Sequence, residues 1–220
     1  ELFVTRGLVT PVQAQRLPGS GVDLERFTPV PLPAPGDSAP FRFLLIARML
    51  WDKGIGEYVE AARRLRAEGR AVECQLLGFL GSENPSAVPA ERIEAWEREG
   101  VIRYLGSAED VRPDIAEADC VVLPSYREGT PRSLLEAASM ARPIVTTDAV
   151  GCREAVEDGI TGFLCQPRDA MDLTDKMRRM IDLPHAARAE MGQMGREKMV
   201  REFDESIVID RYLQAVKELR

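Results

Sequence analysis

The stretch Leu123-Pro-Ser-Tyr-Arg-Glu-Gly-Thr-Pro-Arg-Ser-Leu-Leu-Glu136 sets two carboxylates, Glu128 and Glu136, eight positions apart across a strand-to-helix junction. Ahead of it, Asp119-Cys-Val-Val-Leu-Pro124 is a continuous apolar run closed by a proline, the pattern of a short buried strand. Thr130 and Pro131 have the residue types of a helix N-cap and a first helical residue. Glu128 is therefore expected in the loop at the strand's carboxyl end. Glu136 falls between one and two turns inside the helix, about 8 Å along its axis from Pro131. Between the two carboxylates, the free N–H groups of the first turn form an anion site.

Two readings of this segment compete. Arg132 and Glu136 stand in an i,i+4 relation and could be a helix-surface ion pair worth a few tenths of a kcal/mol. Against that, Leu134-Leu135 and Ala137-Ala-Ser-Met140 make the helix mostly apolar, and a carboxylate buried there without a partner is costly. Structural ion pairs occupy such places as well as functional ones, so the segment alone leaves both open. As a functional unit it suits a sugar nucleotide, with the diphosphate at the helix start, one carboxylate near the hexose and the other near the ribose hydroxyls.

A basic pair elsewhere supports the functional reading. Phe41-Arg-Phe-Leu-Leu-Ile46 reads as a strand, and Gly54 to Glu68 as an amphipathic helix with Ile55, Tyr58, Val59, Ala62 and Leu65 on one face. Arg48 follows the strand and Lys53 precedes the helix, so both are expected at the carboxyl edge of the sheet, where open α/β sheets bind ligands. A solvated surface role is the ordinary alternative for each. Further strands are expected at Ala71 to Leu77, Val101 to Tyr104, Pro143 to Thr146 and Gly162 to Cys165. Helices are expected at Pro89 to Arg98 and Val111 to Ala118. This alternation predicts an α/β, Rossmann-like parallel sheet with helices on both faces. From Asp169 onward the pattern is helical, with Met171, Leu173, Met177, Met180 and Ile181 as core filler, then a Met-rich helix and the Phe203 to Leu219 segment. Pro29 to Pro40 reads as a loop.

Taken together, these positions resemble glycosyltransferase family 4, retaining nucleotide-sugar-dependent enzymes of the GT-B fold. The likeness runs from Gly19-Ser-Gly-Val-Asp-Leu-Glu-Arg-Phe27 through Arg48-x4-Lys53, Glu128-x7-Glu136, Arg142-Pro-Ile-Val-Thr-Thr147 and Gly151-Cys-Arg-Glu154 to Gly159-Ile-Thr-Gly-Phe-Leu164. It implies that Arg48 and Lys53 neutralise the donor diphosphate, that Glu128 faces the hexose and Glu136 the ribose. It also implies that Gly129, Thr130, Arg132 and Ser133 help hold phosphate and sugar. Ala141 stands where a glycine is common in the family. Ala47-Arg-Met-Leu-Trp-Asp-Lys-Gly-Ile-Gly-Glu-Tyr58, Gln75-Leu-Leu-Gly-Phe-Leu80 with Glu83-Asn-Pro85, and Tyr126-Arg-Glu-Gly-Thr-Pro-Arg-Ser133 are similar to a narrower branch. That branch includes bacterial N-acetylgalactosaminyltransferases acting on undecaprenyl-diphosphate-linked sugars, in surface polysaccharide and protein-glycan synthesis. The resemblance implies a UDP-sugar as substrate with no cofactor and no metal, and transfer of a hexosamine, GalNAc, with retention. The base is expected near Phe79, Tyr104 and the Gly106-Ser107 turn, though each serves equally as plain core or turn.

Composition bounds the class without identifying it. At 220 residues and 45% hydrophobic content, the chain holds one sizeable core. A formal net charge of −7 with both signs interspersed disfavours nucleic acid as a partner. Cys74, Cys120, Cys152 and Cys165 have no CxxC spacing and read as buried thiols in a reducing cytoplasm. No apolar stretch approaches the ~18 residues of a membrane span, and no signal-peptide pattern opens the sequence. The expected location is cytoplasmic, with peripheral association at the inner membrane face. His185, the single histidine, is expected to face solvent.

The resemblance implies a second, N-terminal half that binds the lipid-linked acceptor and for which this length has no room. The expected organisation is therefore an inter-domain segment at 1–22, a donor-binding domain at 23–202, and a C-terminal helix at 203–220 packing toward that other half with exposed apolar surface. Alone, such a chain is expected to be inactive in transfer. The alternatives are a non-catalytic UDP-sugar-binding module and a nucleotide-sugar epimerase of the same architecture. A Rossmann dehydrogenase would need a GxGxxG turn after the first strand, and Ala47 to Gly54 has none.

Overall fold

Strand β1 (Phe41–Ile46) shows how the molecule is built: Phe43 and Leu45 point to one face of the sheet and Leu44 to the other, and all three are fully buried. Burial on both faces is why Phe43 to Ile46 reads as a continuous apolar run and not as alternation. A computed structural model describes residues 2–11, 17, 19–34, 36 and 39–218. In it β1 pairs in parallel with β2 (Val72–Leu77) and β4 (Cys120–Leu123). With β3 (Arg103–Tyr104), β5 (Ile144–Thr147) and β6 (Gly162–Cys165) they form one six-stranded parallel sheet of order β3-β2-β1-β4-β5-β6.

A short α1 (Leu2–Thr5) precedes the sheet. Helices α2 (Ile55–Ala67), α3 (Ala90–Arg98) and α6 (Ala170–Asp182) pack on the face bearing Phe43, Leu45, Cys120 and Val122. Helices α4 (Arg112–Glu117), α5 (Arg132–Ser139) and, through Met199, α7 (His185–Glu202) cover the face bearing Leu44, Val121 and Leu123. The expected Rossmann-like α/β architecture is the one observed. All four cysteines are free and buried, and burial pushes the Cys74 and Cys165 thiols up to about 12.

The strand order reverses direction between β1 and β4, and the crevice outside the carboxyl ends at such a point is where open α/β sheets bind ligands. The two sequence clusters read as functional lie on the loops leaving those two ends. At the opposite, amino edge, Arg142 is fully buried and fans out to five carbonyls. Nε donates to Ile115 O (2.9 Å), Nη1 to Val30 O (2.9 Å) and Met140 O (3.4 Å), and Nη2 to Ala116 O (2.8 Å) and Pro31 O (3.0 Å). Burial lowers its pKa to about 10. This guanidinium fastens Val30 and Pro31 to α4 and the end of α5.

Several expectations are corrected. The Pro131 helix begins at Arg132, with Pro131 itself as N-cap in an extended conformation (φ −73°, ψ 110°) and Thr130 making no capping bond. The strand expected from Val101 is only Arg103–Tyr104. Met171 lies on the outer side of the first turn of α6 and is 68% exposed, not core. His185 is half-buried, its ring nitrogen 3.1 Å from Pro33 O. Helix α8 (Glu205–Glu218) buries Val208 and exposes Ile209, Tyr212, Leu213 and Val216, as expected for that segment; Leu219 lies outside the described residues. Ala141 has a left-handed backbone (φ 57°), the conformation a glycine would take without strain.

Candidate functional site

The loop after β1 ends in a 3-10 turn, Trp51–Lys53, and turns into α2 at Gly54. Gly54 has φ +74°, and a Cβ there would lie 2.1 Å from the Pro124 carbonyl oxygen, so only glycine lets this turn press against the end of β4. The two loops then join along a seam. The Tyr126 N–H and the Ser125 hydroxyl both donate to Asp52 O, at 2.9 and 3.1 Å. From the β5 side, Thr147 Oγ1 donates to Ser125 O at 2.5 Å and Thr146 Oγ1 to Leu123 O at 2.7 Å.

This seam brings Lys53 and Glu128 together. Lys53 Nζ lies 2.5 Å from Glu128 Oε1, and the two side chains are only 16% and 15% exposed. Glu128 is held from behind by its N–H bond to Val150 O (3.0 Å). Gly151 follows at φ +88°, where a Cβ would lie 2.3 Å from Glu128 O, which explains the glycine of the Gly151-Cys-Arg-Glu154 segment. Arg48 is exposed at the same edge, and no described residue pairs with its guanidinium.

On the far side of the loop, Gly129 is exposed, while Thr130 and Ser133 are half-buried. The Leu134 and Leu135 N–H groups donate to Pro131 O, which leaves the Arg132 and Ser133 N–H groups at the helix start, where α-helices lack internal acceptors. Glu136 is 14% exposed, and its contact with Arg132, itself 70% exposed, is long at 3.8 Å. Burial raises the Glu136 pKa, opposed by the Arg132 and Arg26 charges. The surface ion pair considered from sequence is therefore present but weak, on a carboxylate that burial penalises.

All eight residues singled out by sequence, Arg48, Lys53, Glu128, Gly129, Thr130, Arg132, Ser133 and Glu136, thus stand on the two loops and the helix start bounding the β1/β4 crevice. Phe79 is 56% exposed after β2, whereas Tyr104 donates its hydroxyl to Gly78 O (2.8 Å) and Gly106 O accepts from Gly78 N (2.7 Å). Sequence reasoning did not foresee the Lys53–Glu128 pair, whose partners are 75 positions apart, or the bond from Tyr126 to Glu57 (2.7 Å). No local pattern marks either. Among the described residues, no three His, Cys, Asp or Glu side chains are grouped to hold a metal ion. No described helix is long and apolar enough to cross a membrane.

A cleft of about 850 Å³ touches this site only through Gly129 and Thr130 and runs away toward α7 and α8. Its Lys198 and Arg201 are already matched by Glu157 and Glu202, at 2.6–3.2 Å. At the crevice, by contrast, Arg48 has no partner among the described residues and the helix start is open.

The chain's likeness to known proteins agrees with this geometry. The family model described as Glycosyl transferases group 1 matches residues 40–182. The N,N'-diacetylbacillosaminyl-diphospho-undecaprenol alpha-1,3-N-acetylgalactosaminyltransferase of Campylobacter jejuni is 33% identical over 171 residues, covering 78% of this chain and 43% of that protein. The putative colanic acid biosynthesis glycosyltransferase WcaL of Salmonella typhimurium is 31% identical over 201 residues, covering 86% and 47%. The chain therefore spans about half the length of these curated relatives. Among solved structures, sucrose-phosphate synthase of Thermosynechococcus elongatus superposes with a TM-score of 0.80 at 23% identity, over 99% of this chain and 55% of that one. HepE of Anabaena, in complex with UDP-glucose, superposes at 0.76 and 20% identity, over 90% and 56%. These structural likenesses bear on the fold, which is that of GT-B glycosyltransferases. With more than half of its length matched to the family and its sheet built the same way, the chain belongs to the group 1 glycosyl transferases.

Proposed function

We propose that this chain is the donor-binding half of a retaining glycosyltransferase that takes a UDP-linked N-acetylhexosamine, GalNAc, for transfer to a lipid-diphosphate-linked glycan. One observation carries the reading: the loop bearing Arg48 and Lys53 and the loop that leads through Glu128 to the start of α5 leave the sheet where the strand order reverses, and Lys53 and Glu128 meet there. A diphosphate in that crevice meets two cations and the helix N–H groups, and the ribose hydroxyls meet Glu136. The choice of GalNAc and of an undecaprenyl-diphosphate acceptor is supported by the likeness to the Campylobacter enzyme, whose name states that chemistry.

The chemistry asked of these residues is electrostatic. Cleaving the bond between the anomeric carbon and the diphosphate leaves negative charge on the departing oxygens, and preorganised donors at that position lower the barrier. Arg48, Lys53, and the Arg132 and Ser133 amides take that role, so in this reading no metal is required. Glu128 orients the hexose. Lys53 is paired with Glu128, so binding of the intact donor has to divide the pair, amine to diphosphate and carboxylate to sugar. The acceptor site belongs to a further half of the protein, against which the apolar stripe of α8 packs; the full enzyme then works at the cytoplasmic face of the membrane.

Calorimetric titration of the chain with UDP, GDP, UDP-GalNAc and UDP-GlcNAc, with and without EDTA, tests the proposal. The expected result is chelator-insensitive binding of UDP and a preference for UDP-GalNAc. Preference for GDP, or loss of binding with EDTA, would refute it.

A further inference from the structure

Lys53 and Glu128 owe their contact to the seam between the two loops, and Tyr126 stands on that seam. Its N–H grips Asp52 O, next to Lys53, and Glu128 lies two residues beyond it. The Tyr126 hydroxyl donates to Glu57 Oε1 at 2.7 Å, on the first turn of α2, and the Arg168 guanidinium lies 4.6 Å from the ring centroid. Arg168 itself has a left-handed backbone (φ 62°), which a side chain makes unfavourable and which persists where the surroundings over-determine it. The second carboxylate oxygen of Glu57 is buried with no hydrogen-bond partner, which leaves Tyr126 as the donor that carboxylate has. Burial and the neighbouring Glu57 push the Tyr126 pKa up to about 12, so the hydroxyl keeps its proton throughout the physiological range. A buried orphan oxygen, a stacked cation and a strained backbone converge on a tyrosine that the donor clamp does not itself use.

We infer that Tyr126, clamped between Glu57 and Arg168, is a positioning residue for the donor site: it sets the spacing of the two loops and so places Lys53 for the diphosphate. The inference rests on the donor-site reading above. Its ligand is a nucleoside diphosphate, and its action is indirect, through Lys53.

A double-mutant cycle tests it. UDP is titrated, up to millimolar concentration so that weak binding stays measurable, against the parent chain, Tyr126→Phe, Lys53→Ala and the double variant, with the thermal midpoint recorded for each. Tyr126→Phe is expected to weaken UDP about tenfold in the parent, the scale of a hydrogen bond to a charged group, and less than twofold in the Lys53→Ala background. Glu57→Gln, which keeps an acceptor for the hydroxyl, is expected to bind UDP like the parent. Equal loss from Tyr126→Phe in both backgrounds, or a lowered thermal midpoint with unchanged affinity, would overturn the inference and reduce Tyr126 to a packing residue. Failure of the donor-site reading looks different, since then the parent does not bind UDP or Lys53→Ala leaves its affinity unchanged.

Discussion

The two edges of the sheet both bury charge, and they treat it in opposite ways. At the amino edge, Arg142 has no exposure and spends its guanidinium on five backbone carbonyls. At the carboxyl edge, Arg48 is open without a partner among the described residues, Lys53 and Glu128 have only each other, and Glu136 is burdened by burial with a distant arginine in return. Satisfied buried charge is architecture. Charge that folding brings together and leaves under-satisfied is available to a ligand, at some expense in stability.

The comparison breaks most easily at Arg142. Arg142→Met takes a donor from five carbonyls and leaves those of Val30, Pro31 and Ala116 without one among the described residues, and unsatisfied buried groups cost roughly 1–3 kcal/mol each when water cannot replace the partner. A stability loss of about 3 kcal/mol or more in urea unfolding is expected; a loss below about 1 kcal/mol would remove its structural role. Lys53→Ala is expected to do the reverse. UDP affinity should fall by roughly 10- to 100-fold, the range for a lost charge-assisted bond, with an unfolding loss smaller than that of Arg142→Met, since a single carboxylate and not several carbonyls is left without its partner.

Glu136 separates stability from binding through pH. Its pKa is raised in the folded chain above the ordinary 4.5, so its favourable contribution is complete below that value and is lost as pH rises through the folded pKa. At neutral pH the ionised group therefore costs stability. Glu136→Gln should raise the unfolding free energy at pH 7 by more than the roughly 0.5 kcal/mol typical of neutral surface changes, with the gain vanishing at pH 4, while UDP affinity falls. Equal unfolding curves at both pH values would mean that Glu136 is not desolvated. The most discriminating contrast lies at Glu128, where UDP itself is expected to change least. Glu128→Gln releases Lys53, so UDP should bind as well as to the parent or up to a few-fold more tightly, whereas UDP-GalNAc should weaken at least tenfold; parallel losses on both ligands would erase the division of roles between the two glutamates.

Much of this was legible in the sequence because it is local. The apolar runs Phe43 to Ile46 and Cys120 to Leu123 announce strands buried on both faces, and Pro124 marks the end of the second. The spacing of Ile55, Tyr58, Val59, Ala62 and Leu65 announces the inner face of α2, and all five are buried. The site residues lay on recognisable strand-to-helix loops, so the crevice followed once the strand order was known. What the sequence did not disclose depends on contacts between distant segments. Pro131 looked like a first helical residue, yet its extended ψ delays the helix by one position. Met171 fits the apolar pattern of α6 but falls where no neighbouring element covers it, and His185 faces the Pro33 carbonyl because Arg142 ties the neighbouring 30–31 segment down. The Lys53–Glu128 pair arises from a seam of hydrogen bonds around Asp52 that no spacing rule contains.

The most direct test of the donor site is a crystal structure of this chain with UDP bound. The diphosphate is expected between Arg48, Lys53 and the start of α5, with the ribose hydroxyls on Glu136. UDP lodged instead in the cleft between Thr130 and α8, or bound with Lys53 still paired to Glu128 and Glu136 untouched, would contradict it.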